Sequence, residues 1–115
     1  MLKRVLEEFL AIDGVTSASL IGRDGFVIEI VSTHPVDTDA LGALGSSAMR
    51  YFDRGGLSLD MGRVRQLALE YNNGAIVMTA ITADEFLAVT TDSQAAMGRV
   101  SYALAKTSSR VAAVI

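Results

Sequence analysis

The side chains that could do chemistry in this 115-residue chain are few, and each has a competing structural use. His34 is the one histidine; it precedes Pro35 in a loop, far in sequence from any nucleophile, whereas a catalytic imidazole needs an oriented partner. Asp37, Thr38 and Asp39 offer oxygen ligands. A calcium loop, however, also demands a third oxygen ligand, a glycine and a distal glutamate at fixed spacing, and these are missing. The segment instead has the caps and charge of a helix amino terminus. Gly56-Leu57-Ser58-Leu59-Asp60 departs from the nucleophile-elbow pattern at its last position. Gly22 and Gly25 flank Arg23-Asp24 in a hairpin, and no Gly-Lys-Ser/Thr follows any glycine loop to cradle a phosphate. Asp24 and Asp84-Glu85 sit in turns, where acids are routine. Arg63 and Arg65 suit a phosphate or a GTPase met in trans, but alternating arginines also serve as the solvated face of an edge strand. Cysteine is absent, which excludes thiolate nucleophiles, disulfides and cysteine-ligated zinc. The inventory predicts no catalytic residue, no metal and no cofactor, and so no enzyme.

Composition bounds what remains. Half the residues are apolar, 20% are charged and the mean hydropathy is +0.38. That excludes intrinsic disorder and predicts one domain over residues 1–115, with apolar surplus to hide against a partner. A self-associating domain is the first inference. Ten basic against thirteen acidic side chains give a net charge of −3, and the basic ones are scattered, so nucleic-acid binding is not expected. Met1 to Glu8 places acids where a signal peptide would carry its apolar run, and no apolar stretch approaches ~18 residues. The expectation is a soluble cytoplasmic protein without membrane insertion.

The elements that must position any site follow from periodicity. Leu2, Val5, Leu6, Phe9 and Leu10 form one stripe of an amphipathic helix, stopped at Asp13-Gly14. Strands are predicted over Val15–Ile21 and Phe26–Val31, joined by a Gly22–Gly25 turn. A helix capped near Asp37 should run to Arg54 and end at Gly55-Gly56, with Leu41, Leu44, Ala48, Met49 and Phe52 as its apolar stripe. Gly42, Gly45 and Ser46 beside that stripe are poor helix formers, and their small side chains let another backbone come close. Val64 to Tyr71 alternates with period two; Ala75 to Thr82 has the continuous apolarity of a doubly buried strand; Phe86 to Thr91 is a fifth. Asp92 or Ser93 caps a last helix whose stripe is Met97, Val100, Ser101, Leu104, Val111, Ala112 and Ile115. The order α-β-β-α-β-β-β-α predicts an α+β sandwich with a five-stranded antiparallel sheet.

The opening helix ending in Asp13-Gly14-Val15, followed by Ala18-Ser19-Leu20-Ile21-Gly22-Arg23-Asp24-Gly25, resembles a Roadblock-type domain. Leu69-Glu70-Tyr71, the Gly74 turn, Phe86-Leu87-Ala88-Val89 and Gly98 agree with it, so the resemblance covers nearly the whole chain and points to the prokaryotic, MglB-like members. It implies a profilin-like sandwich and a noncatalytic module that dimerises by joining sheets edge to edge with the middle helices alongside. It also implies binding and regulation of a Ras-like small GTPase, with GTPase activation as one form. The predicted joint comprises Leu41, Gly42, Gly45, Ser46, Met49 and Phe52 of the helix with Val64, Gln66, Ala68 and Glu70 of the strand. Arg50 and Arg54, off the apolar stripe, are the predicted GTPase contacts. Two other readings fit the sequence: a purely structural dimerising scaffold, and a small-ligand sensor, for which no convergent polar set is visible.

Overall fold

The computed structural model describes residues 1–115. Helix α1 spans Leu2–Leu10, α2 Thr38–Ser58 and α3 Met97–Val114, the last preceded by a short 3-10 turn at Gln94–Ala96. Strands β1 to β5 occupy Val15–Gly22, Val27–Ser32, Gln66–Tyr71, Gly74–Ala80 and Glu85–Thr91. They form one antiparallel sheet in the order β2-β1-β5-β4-β3, so the α+β order α-β-β-α-β-β-β-α holds and β3 lies at an edge.

The sheet separates two cores. Val5, Leu6 and Phe9 of α1 and Val100, Leu104 and Val111 of α3 close over Ala18, Leu20, Val77, Leu87 and Val89. On the opposite face, Leu41 and Met49 of α2 cover Ile21, Met78, Phe86 and Ala88. Alternation along β5 supplies both: Leu87 and Val89 to one core, Phe86 and Ala88 to the other. As its continuous apolarity predicts, β4 is buried on both faces over most of its length.

Asp37 caps α2 by accepting the Ala40 N–H at 3.0 Å. The far end differs from the expectation. Gly55-Gly56 does not stop α2, which continues to Ser58 and is followed by a turn with Asp60 and Gly62 at positive φ. Gly56 serves a close approach instead: a Cβ there would stand 2.1 Å from the Gly62 carbonyl oxygen. At the last helix, Ser93 occupies the cap position of the 3-10 turn without a side-chain hydrogen bond. No helix is long and apolar enough to cross a membrane.

Candidate functional site

The hydrogen-bond phase of β3 decides what this edge presents outward. The Ala80 N–H donates to the Arg65 carbonyl at 2.9 Å, which makes Arg65 and Ala80 a hydrogen-bonded pair. Alternation then makes Leu67–Met78, Leu69–Ile76 and Tyr71–Gly74 the bonded pairs of the ladder. Gln66, Ala68 and Glu70 therefore aim their N–H and C=O groups away from β4, where no strand receives them. Their side chains are exposed, while Leu67 and Leu69, on the α2 face, are half-buried.

That face is unevenly covered. Helix α2 packs on β1 and β2, so Ile76, Leu67 and Leu69 at the other end of the sheet stay only partly shielded. The outer side of α2 carries Leu44, Tyr51 and Phe52, all exposed, and the Tyr51 and Phe52 rings meet edge to face at 5.1 Å. Leu57 in the last turn of α2, and Leu59 and Met61 beyond its end, are exposed as well. Isolated exposed apolar residues are ordinary; several on one helix, in a protein that also leaves a sheet edge open, suit an interaction surface.

The predicted joint residues divide in two. Phe52, Gln66, Ala68 and Glu70 are exposed. Leu41 and Met49 belong to the chain's own core. The three small residues are also consumed internally, which corrects the reason given for them. A Cβ on Gly42 would lie 2.0 Å from the Gly25 carbonyl oxygen, and one on Gly45 would lie 2.9 Å from the Phe86 ring. Ser46 is buried beside Gly25. The backbone that approaches α2 closely is thus the β1–β2 hairpin of the same chain. Val64 is half-buried, and its N–H donates to Asp53 Oδ1 at 2.8 Å.

Asp53 is the residue that sequence reasoning missed. It is 6% exposed, and its second carboxylate oxygen accepts a hydrogen bond from Arg23 Nη1. One carboxylate thereby ties the end of α2 to both the hairpin and the entry to β3. The available signal was its position four residues after Met49, on the buried stripe of the helix, where an acid needs a partner.

Around this pair gathers a basin of about 320 Å³ lined by Arg23, Arg50, Arg54, Arg63, Asp53, Asp84, Leu57 and Ala83. Arg50 and Arg54 are exposed and off the apolar stripe, as predicted. Arg63 and Arg65 part company: Arg65 lines a separate hollow beside α3, with Gln66, Thr79 and Ser108. Since β3 begins at Gln66, neither arginine lies within the edge strand. His34 is exposed, its Nδ1 2.9 Å from the Thr33 hydroxyl, with no carboxylate beside it.

Two uncharacterized proteins of Methanocaldococcus jannaschii are each 26% identical to this chain over 114 residues, 99% of both lengths. Among solved structures, an MglB with a tetrameric arrangement and the gliding protein MglB of Thermus thermophilus both superpose with a TM-score of 0.89 at 22% identity. The match covers 98% of this chain and 86% and 87% of theirs. A Roadblock/LC7 domain of Streptomyces avermitilis gives a TM-score of 0.85 at 23% identity, covering 95% of this chain and 92% of that one. The profile of the Roadblock/LC7 domain matches residues 1–91, from α1 to the end of the sheet, and the chain belongs to that family.

Proposed function

We propose that residues 1–115 form one noncatalytic, self-associating regulatory domain whose paired α2 helices are a platform for a Ras-like small GTPase in the cytoplasm, in signalling or cell polarity. The observation that carries this reading is an open sheet edge at Gln66, Ala68 and Glu70 in a chain that also exposes Leu44, Tyr51 and Phe52 on α2, the helix being tied to the entry to β3 by Asp53 and Val64. A second copy related by a two-fold axis completes both at once: strand pairs with strand, and the partner's α2 shields the half-face left over Ile76, Leu67 and Leu69. The tetrameric arrangement named for an MglB neighbour supports self-association. The family resemblance supports a small GTPase as partner, with acceleration of its GTP hydrolysis as the proposed outcome. Arg50 and Arg54 would lie at the flank of the composite platform.

Sedimentation of the native chain tests the first half: a species near twice 12.2 kDa is expected at tens of micromolar. A monomer there overturns the reading. The second half is tested against Ras-like GTPases encoded in the same genome, by binding and by GTP turnover. Charge reversal at both Arg50 and Arg54 should weaken binding in a protein that still sediments as the native one does. Unchanged affinity removes this surface as the contact. A dimer that binds no such GTPase leaves the scaffold reading.

A further inference from the structure

We propose that the arginine basin at the end of α2 is an anion site that takes a phosphoryl group, with Arg50, Arg54 and Arg63 as its ligands. This goes beyond the GTPase reading and does not rest on it, because the site is complete within one chain.

Four of the chain's eight arginines line this one basin, in a molecule whose net charge is −3. Arg23 is committed to Asp53. Arg50, Arg54 and Arg63 have no carboxylate within ion-pair distance; the nearest use recorded for any of them is Arg50 Nη1, 3.5 Å from the Arg23 carbonyl oxygen. Three unpaired guanidiniums facing one hollow repel each other, and a bound anion relieves that repulsion. Asp84, on the rim, is the one acid there not already held by an arginine, so the basin keeps a positive surplus.

The walls are fixed before any ligand arrives. The Arg23 N–H donates to the Asp84 carbonyl at 2.8 Å, joining the β1–β2 hairpin to the β4–β5 turn. Asp53 holds the Val64 N–H, and the Met61 N–H donates to the Gly56 carbonyl at 2.8 Å, so the segment carrying Arg63 is folded back onto α2. Arg50 and Arg54, four residues apart, project from the same side of the helix. All the cations are arginines, whose planar forks meet two oxygens of a phosphate at once; both lysines, Lys3 and Lys106, lie elsewhere. A volume of about 320 Å³ accommodates one or two phosphoryl groups with part of what carries them.

The group could arrive as inorganic pyrophosphate or on a nucleoside triphosphate, and titration of the 15N-labelled chain with pyrophosphate, GTP and ATP separates these sources. Saturable shifts are expected at the Nε–H signals of Arg50, Arg54 and Arg63, without matching shifts at Arg4 and Arg99, and weakening as salt is added. Equal affinity for pyrophosphate and both nucleotides assigns recognition to the phosphates alone; a preference for one nucleotide adds the base. Arg63→Ala should weaken binding roughly tenfold, and R54A/R63A should remove saturation, each with the remaining spectrum unchanged. Absence of a saturable shift, equal shifts at Arg4 and Arg99, or undiminished binding in R54A/R63A would overturn the proposal. No GTPase enters the experiment, so its failure and that of the GTPase reading are distinguishable.

Discussion

Gly42 and Gly55 occupy the same helix for opposite reasons. At Gly42 the carbonyl of Gly25 leaves no room for a Cβ, whereas nothing lies within 4 Å of the place a Cβ would take at Gly55. Gly42→Ala should therefore destabilise the fold by about 3 kcal/mol, because a backbone carbonyl of a tight hairpin has to move. Gly55→Ala should stabilise it by about 0.5–1 kcal/mol, through helix propensity and a less free unfolded chain. Chemical denaturation of the two variants measures both signs; a neutral Gly42→Ala would mean that the hairpin does not rest on α2. Asp53 carries a different kind of dependence. Asp53→Ala leaves the Arg23 guanidinium and the Val64 N–H without their acceptor and should cost about 3 kcal/mol. Asp53→Asn keeps an oxygen for Val64 and should cost less. Equal losses in the two variants would show that the amide interaction contributes nothing. At this scale the sequence was half legible. The shortage of catalytic groups could be counted along the chain, but which neighbour each small or charged side chain meets could not, because those partners lie far away in sequence.

Among the elements, the edge strand gives the sharpest test. The N–H of Ala68 points away from β4, so Ala68→Pro removes a donor from the open edge without breaking a bond of the β3–β4 ladder. The variant should keep its fold by circular dichroism and sediment as a monomer under conditions where the proposed pairing makes the native chain a dimer. A folded Ala68→Pro dimer would exclude pairing through β3. Helices α1 and α3 are joined by a second ion pair, in which Arg110 donates to both Glu8 carboxylate oxygens at 2.9 and 2.8 Å. That hydrogen bonding, aided by the guanidinium charge, lowers the Glu8 pKa below the ordinary glutamate range. A carboxylate depressed in the folded state adds stability above its unfolded pKa, and the contribution fades as pH falls through the lower folded value. Both side chains are half-exposed, so the effect should be small and sensitive to salt. In Arg110→Gln the Glu8 carboxyl, followed by NMR, should titrate back in the ordinary range; an unmoved titration would remove Arg110 as the cause. Element types and order were legible because the apolar residues of α1, β3 and α3 keep their periods throughout. The end of α2 was not: Gly55-Gly56 has the look of a stop, yet the helix passes through to Ser58, and the Gly62 carbonyl takes the place a Cβ would need at Gly56.

For the molecule as a whole, the apolar surplus in the composition and the exposed surface of α2 concern the same property. Phe52→Glu places a charge in that surface at a site 43% exposed, where the monomer tolerates it and a second copy would not. The variant should dissociate the dimer with little change in thermal stability at low concentration, measured by sedimentation and melting together. An intact dimer would move the contact off this part of α2. The sequence by itself determined the α+β architecture and the family. These depend on local periodicity and residue type, which survive in one dimension. Period-two alternation also marked the strand that the sheet order places at an edge. Tertiary structure alone decided that Gly42 and Ser46 meet the chain's own β1–β2 hairpin and Gly45 the Phe86 ring, and that Gln66, Ala68 and Glu70 are the residues whose amides point outward. It alone separated Arg63 from Arg65 and set Arg63 beside Arg50 and Arg54. Strand order, hydrogen-bond phase and the folding back of a turn onto a helix fix such pairings, and each of them joins residues whose spacing in the chain carries no trace of the contact.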